Sequence, residues 1–99
     1  MSRRRWRDIE RRPWWSQLIT AFVTCEARRL GWEIERVCVA QTGSVYVDIR
    51  QGNHRATIRV SDHRPSRRQW RRRSMFSVRR GGLGRLDSLE RFLYSRMIG

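Results

Sequence analysis

Apolar and polar positions alternate most regularly between residues 44 and 61. Val45, Val47 and Ile49 interleave with Tyr46, Asp48 and Arg50, and Ala56, Ile58 and Val60 interleave with Arg55, Thr57 and Arg59. Strict alternation puts successive side chains on opposite faces of a strand. Gly52-Asn53 between the two runs is suited to a two-residue hairpin turn with glycine first. That turn sets the register: Ile49 opposite Ala56, Val47 opposite Ile58, Val45 opposite Val60. A slip of one residue would mix the faces, so the pattern and the turn support each other. The opposite face then pairs Tyr46 with Arg59, Asp48 with Thr57 and Arg50 with Arg55. Two like charges directly across a hairpin are mildly destabilising. Either Asp48, on the diagonal, or a bound phosphate is expected to offset them.

Around this hairpin the period changes. From Pro13 onward, Trp15, Leu18, Ile19 and Phe22 follow a helical spacing that Cys25 continues, Arg28 and Arg29 suit the last turn, and Gly31 is a stop. A helix is predicted over 13–30, with at most one of Trp14 and Trp15 pointing fully into the core. Residues 32–40 read as a strand of broken parity, since Trp32 and Ile34 share one face while Val37 and Val39 share the other. A bulge near Arg36, or burial of the second half on both faces, reconciles them. Residues 75–78 add a short last strand, and Gly81-Gly82-Leu83-Gly84 reads as a flexible joint. Asp87-Ser88-Leu89-Glu90 reads as a capping box opening a helix over 88–97, with Leu89, Phe92, Leu93 and Met97 as its apolar stripe. Helix, three or four antiparallel strands, helix is an α+β arrangement in two layers.

Charge divides the chain differently. All 23 bases are arginine, against nine acids, a formal net charge of +14 over 99 residues. Residues 1–12 hold six arginines and two acids, and residues 64–80 hold eight arginines and no acid. Residues 13–63 hold six arginines and five acids, which is nearly neutral. A GC-rich genome explains the lack of lysine but neither the excess of base nor its clustering. The organisation predicted is a basic N-terminal arm over 1–12 and a single α+β domain over 13–99 carrying a basic loop at 64–74.

Guanidinium groups form two-pronged hydrogen-bonded pairs with phosphate. The loop cannot bury enough apolar surface to order itself alone, and Arg-rich segments of this kind order on nucleic acid. The candidate nucleic-acid contacts are Arg3, Arg4, Arg5 and Trp6 in the arm and Arg67, Arg68, Trp70, Arg71, Arg72 and Arg73 in the loop. Arg50, Arg55 and Arg59 extend the footprint, and Trp70 or Trp6 offers a ring on which a base can stack. Phosphate contacts carry no sequence information, so sequence preference should be weak, on DNA or RNA alike. The same Arg and Trp residues also suit a protein interface. Mixed Arg and Trp suit a membrane surface as well, but Asp8, Glu10 and the shortness of the arm count against it. A free sheet edge or the surplus of Trp would support a homodimer.

Catalysis is not expected, and no cofactor is implied. Cys25, Cys38, His54 and His63 lack the close pairs of a zinc module. The cysteines read as small buried hydrophobes rather than a disulfide. Adjacent residues such as Ser61, Asp62 and His63 cannot adopt triad geometry. No apolar run is long enough for a membrane helix or a secretory signal, which points to the cytoplasm.

Ser44-Val45-Tyr46, followed by Thr57-Ile58-Arg59-Val60-Ser61-Asp62-His63, resembles a signature of small uncharacterised phage and prophage proteins. Those carry Ser-x-Tyr on one strand and an Ile-Arg-x-Ser-Asp-His ending on the next. The resemblance covers about 20 residues and implies a phage or mobile-element origin in a bacterial host. It brings in no catalytic residue. Small phage proteins of this kind bind nucleic acid or block a host or defence protein complex.

Overall fold

The first helix begins where Pro13 supplies a carbonyl but no amide: the Gln17 N–H donates to Pro13 O at 3.1 Å. A computed structural model describes residues 12–63, 66, 68, 75–80 and 83–98. In it, α1 spans Trp14–Arg29, followed by strands β1 (Glu33–Val39), β2 (Val45–Gln51), β3 (His54–Val60), β4 (Phe76–Arg80) and β5 (Leu83–Arg85), and by α2 (Asp87–Ile98). The five strands form one antiparallel sheet in sequence order. Helix, antiparallel sheet and helix make the α+β layout that the periodicities predict. The fifth strand is an addition, since Leu83–Arg85 falls on the expected joint.

The β2–β3 register is the predicted one throughout, from Val45 opposite Val60 to Gln51 opposite His54. Gly52 has φ +62°, as a primed turn requires. The broken parity of β1 resolves as a bulge: Ile34 pairs with Ile49 and Arg36 with Asp48, leaving Glu35 as the extra residue. Ile34, Val37 and Val39 thereby all reach the core face. Both helices pack on that face, α1 across β1, β2 and β3 and α2 against β4 and α1. The core is built from Ile19, Val23 and Ala27, the alternate residues of β2 and β3, Met75, Phe76 and Val78, and Leu89, Leu93 and Tyr94.

The helix α1 is turned from its predicted orientation. Its buried residues are Ser16, Ile19, Thr20, Val23, Glu26 and Ala27, centred about 100° around the axis from the predicted Trp15–Leu18–Ile19–Phe22–Cys25 stripe, with which they share only Ile19. The physical reason is size: the small residues let the helix lie close to the sheet, and Trp15 and Phe22 sit half-buried at its margin. Trp14 and Leu18 remain 63% and 61% exposed. Cys25 is exposed and Cys38 half-exposed, correcting the expectation of two buried cysteines, and both are free thiols. Buried Glu26 links the helices, with Arg29 at 3.3 Å and Arg96 of α2 at 3.6 Å. The α1 C-terminus is closed by Gly31 at φ +88°. There the Trp32 N–H donates to Ala27 O and the Gly31 N–H to Arg28 O, a Schellman motif.

Two polar side chains of α2 seal the rim of β4. Phe76 and Val78 turn their backbone groups away from β3, where β5 is too short to meet them. The Phe76 N–H donates to the Tyr94 hydroxyl at 3.0 Å, and that hydroxyl donates to Phe76 O at 2.7 Å. The Val78 N–H donates to Glu90 Oε2 at 2.9 Å, and the Leu86 N–H donates to Val78 O at 3.0 Å. An exposed row of such groups would invite another strand. Glu90, expected only as the end of a capping box, is therefore buried against the sheet edge.

Gly43 has φ +94°, and a Cβ there would stand 2.7 Å from Arg12 Nη1 and 3.3 Å from Asp62 Cβ. Gly52 has nothing within 4 Å of the same position. Both glycines carry the backbone cost of a left-handed residue, but only Gly43 makes room for another side chain. Gly52→Ala is expected to cost about 1 kcal/mol and Gly43→Ala roughly 2–3 kcal/mol. Urea unfolding of the two variants measures the difference.

Candidate nucleic-acid interface

The sheet face away from the helices carries the hairpin's polar side chains. Its β1–β2 half is neutral, with three acids facing three arginines. Arg50 Nη2 donates to Glu33 Oε2 at 2.8 Å. Arg50 Nε and Arg55 Nε both lie 3.6 Å from the Glu35 carboxylate. Asp48 accepts from the Thr57 hydroxyl at 2.8 Å and lies 3.9 Å from Arg36 Nε. The Arg50–Arg55 repulsion is thus offset by Glu33 and Glu35 rather than by Asp48. The β1 bulge is what turns Glu35 toward them. The hydrogen bond that Arg50 donates to Glu33, then the charges of Glu33 and Glu35, raise the pKa of Arg50. Arg36 is raised mainly by its hydrogen bond to Cys38, with Asp48 adding less. A shallow concavity beside this cluster is lined by Glu35, Arg36, Asp48, Arg55 and Thr57, whose charges already answer one another.

The β3–β4 half differs. Arg59 is held by two neutral groups: its Nε donates to the Tyr46 hydroxyl at 3.3 Å and its Nη2 to Ser44 Oγ at 3.1 Å. Ser44, Tyr46 and Arg59 thus meet in one cluster. Arg59 stands opposite Ser77, and Arg79 opposite Thr57 and Arg85. No acid occurs in β3, β4 or β5. Arg79 is exposed and has no ion pair among the described residues. Arg80 lies 3.3 Å from His54 Nδ1. Tyr46 and Arg79 escaped the sequence reading. Tyr46 looked like half of a cross-strand pair, and Arg79 was counted only in the charge of residues 64–80, although its strand parity was a usable signal.

The basic segments are rooted at one end of the sheet. Arg12, which adjoins residues 1–11, lays its guanidinium against Gly43 in the β1–β2 connection, beside Asp62. The 64–74 segment leaves just after His63 and returns at Met75, where the Ser61 N–H donates to Met75 O at 2.8 Å. The His63 N–H donates to Ser61 Oγ at 3.1 Å, turning the chain there. Residues 12, 63 and 75 therefore come together although far apart in sequence. Arg3, Arg4, Arg5 and Trp6 lie outside the described residues, as do Arg67, Trp70, Arg71, Arg72 and Arg73. Arg68 is exposed.

Asp48, Asp62 and Glu90 do not converge. Asp48 is on the open face, Glu90 under the β4 rim, and Asp62 at the root of the basic segments. Among the described residues no group of three or more His, Cys, Asp or Glu is placed to hold a metal ion. Among them, too, no helix is long and apolar enough to cross a membrane. Comparison with protein-family models, curated proteins and solved structures found no match to this chain.

Proposed function

We propose that this protein is a non-enzymatic nucleic-acid-binding protein that grips phosphates through its two arginine-rich segments with weak sequence preference. It acts in the cytoplasm of a bacterial host and is encoded by a phage or mobile element. The observation that carries the reading is the common root of the two segments. Six arginines of residues 1–12 and six of residues 64–74 belong to stretches that join the nearly neutral body at one end of its sheet. A positive field concentrated at one place draws a polyanion and raises its encounter rate. The test is a mobility-shift titration with random-sequence DNA and RNA. With six to ten phosphates engaged, affinity falls by about 10³–10⁵ from 50 to 200 mM salt. A flat response removes the reading.

The neutral half of the open face gives a prediction of opposite sign. The Glu33 and Glu35 pairs are solvent-exposed, so Glu33→Gln with Glu35→Gln should change stability by less than about 1 kcal/mol. The same double variant frees Arg50 and Arg55, and nucleic-acid affinity should rise. A melt and a binding curve on one preparation check both halves.

A second reading is favoured by the exposed apolar stripe of α1. Trp14 and Leu18 stand 63% and 61% exposed on a helix face the sheet does not cover. A phage inhibitor seated on a host or defence protein would use such side chains. Failure to shift either nucleic acid, together with a stable complex with a purified defence protein that Trp14→Ala weakens, would favour it.

A further inference from the structure

We propose that the β3–β4 half of the open sheet face is a track for a single-stranded nucleic acid, with Arg59 and Arg79 on its phosphates and Tyr46 under an unpaired base. The inference rests on the nucleic-acid reading and adds to it a site on the sheet, outside the arginine-rich segments. The argument begins with how the charges are answered. Arg36, Arg50 and Arg55 each face a carboxylate. Among the described residues, Arg59 is oriented only by the uncharged oxygens of Tyr46 and Ser44. Those bonds set its plane while leaving its charge and its remaining N–H groups for an anion. Arg59 and Arg79 are diagonal neighbours on adjacent strands, about 7–8 Å apart by sheet geometry. Small side chains, Thr57 and Ser77, lie between them, so the path is low. It begins next to Ser44, beside the root of the basic segments, and runs from there across β4.

Tyr46 decides between single and double strands. It is half-buried and is the aromatic residue of this face among the described residues. Its ring offers a stacking partner only to a base whose own face is free, which a duplex does not present.

The test uses the full chain and fluorescence anisotropy of a labelled oligothymidylate of roughly a dozen nucleotides, beside a DNA duplex of equal length. Two double variants remove the same charge: Arg59→Ala with Arg79→Ala, and Arg50→Ala with Arg55→Ala. The first should weaken single-strand binding about tenfold more than the second, while both weaken duplex binding equally. Tyr46→Leu keeps the charge and should weaken single-strand binding about tenfold, the loss of one base stack, with duplex binding unchanged. Equal effects of the two double variants on the single strand, or an unchanged single-strand affinity in Tyr46→Leu, overturn the track and leave the arginine-rich segments as the binding element. A wild-type chain that binds neither probe overturns the parent reading as well. Should Arg59→Ala fail to fold by circular dichroism, the exposed single variants Arg79→Ala and Arg55→Ala make the same comparison.

Discussion

Converting Arg67, Arg68, Arg71, Arg72 and Arg73 to alanine should flatten the salt dependence of nucleic-acid binding. The slope of log affinity against log salt is about −0.9 for each phosphate neutralised on a duplex. Five lost contacts therefore take roughly 4.5 from the slope. Between 50 and 200 mM that is a roughly 500-fold smaller loss of affinity than the wild type shows. Affinity at low salt falls at the same time, because released counterions are the main source of the binding free energy. The body should keep its melting behaviour, since the core of the described residues is built from the two helices, the strands and Met75. Binding isotherms at four salt concentrations, with a thermal melt alongside, measure both. A slope equal to that of the wild type takes the loop out of the interface.

The largest effect on stability is expected at Tyr94. It is fully buried, stacks on Phe76 with ring centroids 4.0 Å apart and planes within 9°, and both donates and accepts at the Phe76 backbone. Tyr94→Ala removes the ring and opens a cavity, a cost of about 3–5 kcal/mol. A domain of this size has only about 5–15 kcal/mol to lose. Tyr94→Phe keeps the ring and the packing but leaves the Phe76 N–H and C=O without that partner, at a cost of about 1–3 kcal/mol. Urea denaturation should rank the wild type above Phe and Phe above Ala. A Phe variant as stable as the wild type would show that the hydroxyl does not seal the β4 rim.

Both predictions involve residues whose roles were unequally legible. The loop arginines announce themselves by density and by the absence of acids. Tyr94 reads as one more residue of a short amphipathic helix, outside the Leu89, Phe92, Leu93 and Met97 stripe. Its task depends on β5 ending too soon to pair with Phe76 and Val78, a fact about strand length beyond a glycine pair. Glu90 was misleading for the same reason: its spacing from Asp87 matches a capping box, while its carboxylate serves a strand twelve residues away. The orientation of α1 was misread because hydrophobicity alone put Trp15, Leu18 and Phe22 inward. Close packing on a sheet instead favoured Ser16, Thr20 and Ala27.

What this chain determined unaided was its hairpin and its charge map. Alternation and a two-residue turn specify a register through neighbours a few positions apart, and arginine content is independent of conformation. Only the tertiary structure decided which arginines are free. Arg50 and Arg59 look alike along β2 and β3. The β1 register and its bulge bring Glu33 and Glu35 to Arg50, while among the described residues Arg59 meets only the hydroxyls of Ser44 and Tyr46. Neutralisation falls off steeply with distance between charges, and those distances are set by strands that the chain brings together from far apart.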